Sequence, residues 1–133
     1  MKFKFLEHTA DVKFQAFGKT LNECFENALL AMINSQYKGK ISEKKKQKIK
    51  VKGKDKEALL YNFLEEILFL IDTKSFIPSK AKVKIKDNSL EAELIGDDIK
   101  NYEISIDVKA VTYNSMFVKK QKDNFICQVV LDV

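Results

Sequence analysis

Arginine is missing from this 133-residue chain, and every one of its 24 basic residues is lysine. Arginine is the usual side chain for bidentate contacts to phosphate or guanine, so a sequence-specific nucleic-acid reader is an unexpected reading. Histidine occurs once, at His8, which excludes any two-histidine metal site or histidine-pair mechanism. Four glycines leave no Gly-rich phosphate cradle, and the Gly-x-Ser-x-Gly and His-Glu-x-x-His patterns are absent too. No apolar run approaches the length needed to span a bilayer. The opening residues alternate like a strand and lack a signal-peptide core, so a cytoplasmic location is expected. The two cysteines, Cys24 and Cys127, share no Cys-x-x-Cys spacing and sit among apolar neighbours. They read as small buried hydrophobes rather than a disulfide or thiolate site.

What remains is an ordinary globular composition, 45% hydrophobic and 32% charged, of a length that suits one domain spanning residues 1–133. The net charge of +5 is concentrated in a lysine block from Lys38 to Lys56. Its second half, Lys48-Ile49-Lys50-Val51-Lys52, alternates and predicts a strand with one wet face. The sharper alternative for that block is an electrostatic contact with nucleic acid or an acidic partner. Repeats and low-complexity tracts are not evident.

Two helices are predicted. Thr20-Leu21-Asn22-Glu23 is a capping box, followed by apolar residues at helical spacing from Leu21 to Ile33. Asp55 is a good N-cap for a second apolar stripe from Leu59 to Ile71, ending before Phe76-Ile77-Pro78. The rest predicts strands: 13–17, a hairpin of 82–86 and 90–94, a long strand over 103–113, and a pair at 116–119 and 125–133. Strands joined by short turns imply an α+β fold, a compact two-layer sandwich with a largely antiparallel sheet and two main helices.

The final strand ends on Asp132 and Val133, which would set a side-chain carboxylate beside a main-chain one. Two such anions suggest a hard-cation site. A salt bridge from Lys109, read as lying mid-strand, is the competing account of Asp132. His8 and Asp11 flank a strand junction, where a hydrogen-bonded histidine and a turn-forming aspartate are the simpler roles. Glu65 and Glu66 read as a solvated helix face, since adjacent helical residues diverge by about 100°.

Five segments, in order along the chain, together resemble the archease family. They are Phe5-Leu6-Glu7-His8-Thr9-Ala10-Asp11-Val12, the capped Thr20-Leu21-Asn22-Glu23-Cys24-Phe25 after Gly18, and Leu59-Leu60-Tyr61-Asn62-Phe63-Leu64-Glu65-Glu66. The others are Val108-Lys109-Ala110-Val111-Thr112-Tyr113 and Val129-Val130-Leu131-Asp132-Val133. The resemblance implies a compact α/β sandwich that is not itself an enzyme. It implies an accessory role to the RtcB-type RNA ligase of tRNA splicing, promoting ligase guanylylation and multiple turnover, with tRNA met through the ligase. It also implies a divalent cation, calcium above magnesium or manganese, held by Asp11, Asp132 and the main-chain carboxylate of Val133. Lys109 and His8 are the implied functional contacts. Asn114, Phe63 and Glu65 stand where many relatives have His, Trp and Asn. The rival readings are a basic nucleic-acid-binding or RNA-chaperone module using Lys38–Lys56, and a metal-dependent phosphoesterase. The phosphoesterase lacks an evident nucleophile or two-metal carboxylate cluster.

Overall fold

Two turns of the same design launch the helices. The computed structural model describes residues 1–7 and 11–133. In it, Gly18-Lys19-Thr20 leads into α1 (Leu21–Gln36) and Gly53-Lys54-Asp55 into α2 (Lys56–Lys74). Thr20 Oγ1 accepts the Glu23 N–H at 3.1 Å, and Asp55 Oδ1 accepts the Ala58 N–H at 2.7 Å. Each fills one of the backbone donors that a helix start leaves open. The Glu23 carboxylate reaches back to the Lys19 N–H at 3.2 Å, one residue before the cap. A Cβ on Gly18 would lie 2.4 Å from the Cys24 nitrogen, and one on Gly53 2.4 Å from the Leu59 nitrogen. Both glycines therefore let a helix's first turn rest on the strand before it. This is a short structural repeat where the sequence suggests none. α2 ends at Ser75, which adopts the left-handed conformation at φ 52°.

The strands are β1 (Phe3–Leu6), β2 (Val12–Gly18), β3 (Lys45–Lys52), β4 (Phe76–Lys86), β5 (Ser89–Asp98), β6 (Ala110–Gln121) and β7 (Asn124–Asp132). A 3-10 turn covers Ile99–Asn101. All strand pairing is antiparallel, as expected, but it forms two sheets, ordered β1-β2-β7-β6 and β3-β5-β4. Both helices pack against both sheets. α1 is buried on most of its circumference, from Cys24 and Phe25 round to Asn27, Ala31 and Ser35. A helix with sheets on two sides must be. Phe25 of α1 stacks on Phe63 of α2 at 6.1 Å within the shared core.

Some strand limits differ from expectation. β4 starts at Phe76 rather than Lys82, and a register shift between Pro78 and Lys80 absorbs the proline. The predicted strand over 103–113 is irregular as far as Lys109. There the Ser105 N–H and hydroxyl bind the Gln36 carbonyl at the end of α1, at 2.9 and 3.0 Å, instead of a neighbouring strand. Its apolar alternation reflects burial of Val108 and partial burial of Ile104 without a ladder. Segments 110–113 and 116–119 belong to one strand, β6, interrupted by a shift between Thr112 and Phe117 with Ser115 at φ 57°.

Each helix seals one open edge of a sheet. On α1, Glu26 Oε2 accepts the Val83 N–H at 2.8 Å and Asn22 Oδ1 the Ile85 N–H at 2.9 Å. Both amides belong to β4, an edge strand. On α2, Glu65 Oε2 accepts the Val111 N–H at 2.7 Å and Glu57 Oε2 the Val118 N–H at 2.9 Å. These belong to β6, the edge of the other sheet. Tyr61, between the two glutamates, stacks on Tyr113 with ring centres 4.2 Å apart. Glu65 is thus half-buried and bonded to backbone, rather than a freely solvated residue.

Cys24 and Cys127, remote in sequence, meet in the core. Cys127 faces Ala16 across β2 and β7, and the Cys24 thiol donates to the Ala16 carbonyl at 3.5 Å. Both are free and buried, as expected. The hydrogen-bonded Cys24 beside it, together with burial, raises the Cys127 thiol well above its ordinary value, so it stays neutral. Asp97 is a buried carboxylate that sequence patterning did not single out. It accepts the Tyr102 hydroxyl at 2.7 Å, the Asp98 N–H at 2.8 Å and the Asn101 amide at 3.3 Å. The Tyr102 hydroxyl first, then the Asp98 amide, hold its carboxyl below the ordinary carboxylate value. Among the described residues, no helix is long and apolar enough to cross a membrane.

Removing the acceptor in Glu26→Ala strands the Val83 N–H, and we expect a loss of about 1–3 kcal/mol in urea unfolding, with Glu26→Gln losing less. Asp97 gives a pH signature. Its folded-state pKa is depressed, so its stabilisation is present above the unfolded carboxylate value, about 3.9, and is lost as pH falls through the folded value. Melting wild type and Asp97→Asn across the acid range should show the gap between them closing as pH falls. A pH-independent gap would contradict the assignment.

Candidate functional site

The inner strand β7 ends on Asp132, with β2 on one side and β6 on the other. Leu131 pairs with Val12, the first residue of β2, and Asp132 pairs with Ala110, the first of β6. Asp11 lies at a bend one residue before β2, so the register leads it towards Asp132. Lys109 lies one residue before β6, and its N–H donates to the Asp132 carbonyl at 2.8 Å. Three segments far apart in sequence therefore meet at one end of the four-stranded sheet. Asp11 and Val133 are half-buried, while Asp132 and Lys109 are exposed. His8 lies outside the described residues.

Two expectations about this end change. Lys109 is not mid-strand, and Asp132 is not a buried charge in need of neutralisation. Among the described residues, Lys109 and Asp132 form no ion pair; the salt bridges are Lys45–Asp98, Lys50–Glu91 and Lys80–Glu43. Their link is through the backbone, because both side chains reach water. Among the same residues, no three His, Cys, Asp or Glu side chains group closely enough to hold a metal. The donors in prospect are two carboxylates and main-chain oxygen. Such hard oxygen donors suit a cation of the calcium or magnesium kind, with its other positions left for water or a partner's groups.

Glu65 was not foreseen as part of this region. By accepting the Val111 N–H it fixes the start of β6 two residues after Lys109. The signal was present: Glu57, Tyr61 and Glu65 recur every four residues and so share one helix face.

A two-sheet, wholly antiparallel arrangement with two helices packed on both sheets defines a small two-layer α+β domain. The comparisons narrow the class. Residues 3–133 match the model of the archease protein family. The chain is 38% identical to protein archease of Methanosarcina barkeri over 99% of this chain and 96% of that protein. It is 36% identical to protein archease of Sulfurisphaera tokodaii, over 99% of each. The solution structure of protein 1598 from Methanobacterium thermoautotrophicum superposes with a TM-score of 0.82 at 32% identity, covering 98% of both chains. The chain belongs to the archease family. A crystal structure from Thermotoga maritima, described as an archease and possible chaperone, shares the fold with a TM-score of 0.68 at 19% identity, covering 98% of this chain and 96% of that one.

In Glu65→Ala the Val111 amide loses its acceptor. Its hydrogen exchange should accelerate markedly, while that of Val118, held by Glu57, changes little. Equal protection of Val111 in both proteins would mean that Glu65 does not anchor the start of β6.

Proposed function

We propose that this protein is a cytoplasmic, non-enzymatic activator of an RtcB-type RNA ligase in tRNA splicing. It promotes ligase guanylylation and multiple turnover, and it meets tRNA through the ligase. Asp11, Asp132 and a main-chain oxygen of Val133 would hold a divalent cation, with calcium favoured over magnesium or manganese because an irregular, partly open oxygen set suits it. When bound, the cation would supply concentrated positive charge at this end of the sheet. Asp11 and Asp132 position that charge, and the exposed Lys109 adds a cation able to meet phosphate or orient the carboxylates. His8 is the further contact in this reading.

The observation that carries the proposal is the meeting of Asp11, Lys109 and Asp132 at the ends of adjacent strands. Family membership supports it. No described cluster of catalytic carboxylates favours the phosphoesterase reading.

The decisive assay is ligation with the ligase limiting. Wild-type protein should support many turnovers, and Asp132→Asn should confine the ligase to about one. In parallel, calcium should raise the melting temperature of wild type by mass action and leave Asp132→Asn unmoved. Undiminished turnover with Asp132→Asn would refute the cation role, and failure of wild type to stimulate the ligase would refute the partner.

A further inference from the structure

The three-stranded sheet, separate from the one whose strand ends are described above, carries a second feature. Strand parity turns Lys46, Lys48, Lys50 and Lys52 of β3 outward, while Ile49 turns into the core. Parity also turns Lys80, Lys82, Lys84 and Lys86 of β4 to the same outer face. The central strand β5 places Ser89, Glu91, Glu93 and Ile95 between them, each opposite one lysine on either side. All eight lysines are exposed. They face two carboxylates on the same surface, of which Glu91 pairs with Lys50 at 3.5 Å. Lys80 is drawn to Glu43 at 3.3 Å. Lys48, Lys50, Lys82, Lys84, Glu91 and Glu93 line a shallow groove of about 510 Å³.

Lysines on edge strands commonly block unwanted strand pairing. That does not account for the β4 row. The Val83 and Ile85 amides of that edge are already taken by Glu26 and Asn22 of α1. The β4 lysines are therefore surplus to edge protection, and they double the charge contributed by β3.

We propose that this face binds the phosphate backbone of nucleic acid. The two lysine rows lie two strand spacings apart, about 10 Å, and successive lysines in a row are about 7 Å apart. This is a flat, regular lattice of cations suited to a duplex surface. The face holds neither an aromatic ring to stack on an unpaired base nor an arginine to read a base edge. Binding is therefore independent of sequence and prefers duplex to single strand. An acidic protein is the less fitting partner, because the face offers a folded partner no exposed apolar side chain to bury, whereas its evenly repeating cations match an evenly repeating backbone of charge. The proposal does not depend on the cation site or on the ligase.

The test is titration of the whole protein with a short RNA duplex, the same strand unpaired, and a polyglutamate peptide, over a range of salt. Duplex binding should be tightest, and its logarithm should fall linearly with the logarithm of salt. Lys48→Gln/Lys82→Gln/Lys84→Gln alters exposed side chains only. It should weaken duplex binding on the order of tenfold and flatten the salt slope by about 2.7, since each neutralised phosphate contributes about 0.9. Glu91→Gln/Glu93→Gln should strengthen binding, an effect that loss of folding cannot mimic. Unchanged affinity in the lysine variant, weakened affinity in the glutamine pair, or polyglutamate bound as tightly as duplex would each overturn the proposal.

Discussion

The fold depends on what happens to the unpaired amides of two edge strands. A sheet edge presents N–H groups that must be bonded or left to water, and an open edge invites pairing with other chains. Here the acceptors come from helices, and in a crossed manner. β2 belongs to the four-stranded sheet, yet the helix that follows it seals β4 of the three-stranded one. β3 belongs to the three-stranded sheet, yet the helix that follows it seals β6 of the four-stranded one. Each sheet's edge is completed by the other sheet's helix, so the two layers cannot separate without exposing both edges.

This crossing also explains why the strand-end site is well placed. Asp132 ends a strand flanked on both sides, which is the stiffest position a sheet offers. The outer neighbour, β6, would be the loose partner, but Glu65, Tyr61 and Glu57 hold it along its length. The interruption between Thr112 and Phe117 lies between the two glutamate anchors and opposite Tyr61. The irregularity is therefore confined to the middle of the strand and does not reach Lys109. In the proposed reading, the backbone bond between Lys109 and Asp132 is supported by a side chain that anchors the strand two residues further on.

Much of this was readable before the fold was known, where the signal was local. Capping chemistry at Thr20 and Asp55 marks both helix starts, and period-two alternation at Lys48–Lys52 marks a strand with a wet face. Nonlocal arrangements were not readable. Alternation over 103–109 mimics a strand, but whether a ladder forms depends on a partner, and the Gln36 carbonyl took the available donor. Glu65 reads as polar and hence solvated, because only the fold reveals an edge amide facing it. Asp97 looks like any strand-end aspartate until Tyr102 arrives from five residues later. The proposed strand-end site rests chiefly on resemblance. Composition could name the donors but not the register that leads Asp11 towards Asp132.

The distribution of charge adds a last constraint. Lysine is the sole cation in the chain, and its ammonium is a compact, strongly hydrated point charge without a preferred plane. A surface built from it attracts anions without fixing their orientation. Orientation has to come from elsewhere, and the strand end has the means: the register that pairs Asp132 with Ala110 and the backbone bond that ties Lys109 to Asp132. The two surfaces belong to different sheets, and α2 contacts both. Asn62 of α2 donates to the Lys52 carbonyl on β3, while Glu65, three residues on, holds Val111 on β6. The lysine-rich face and the strand end that carries Asp132 are thus both tied to one helix. In the proposed reading, that division suits a protein that presents groups to a partner.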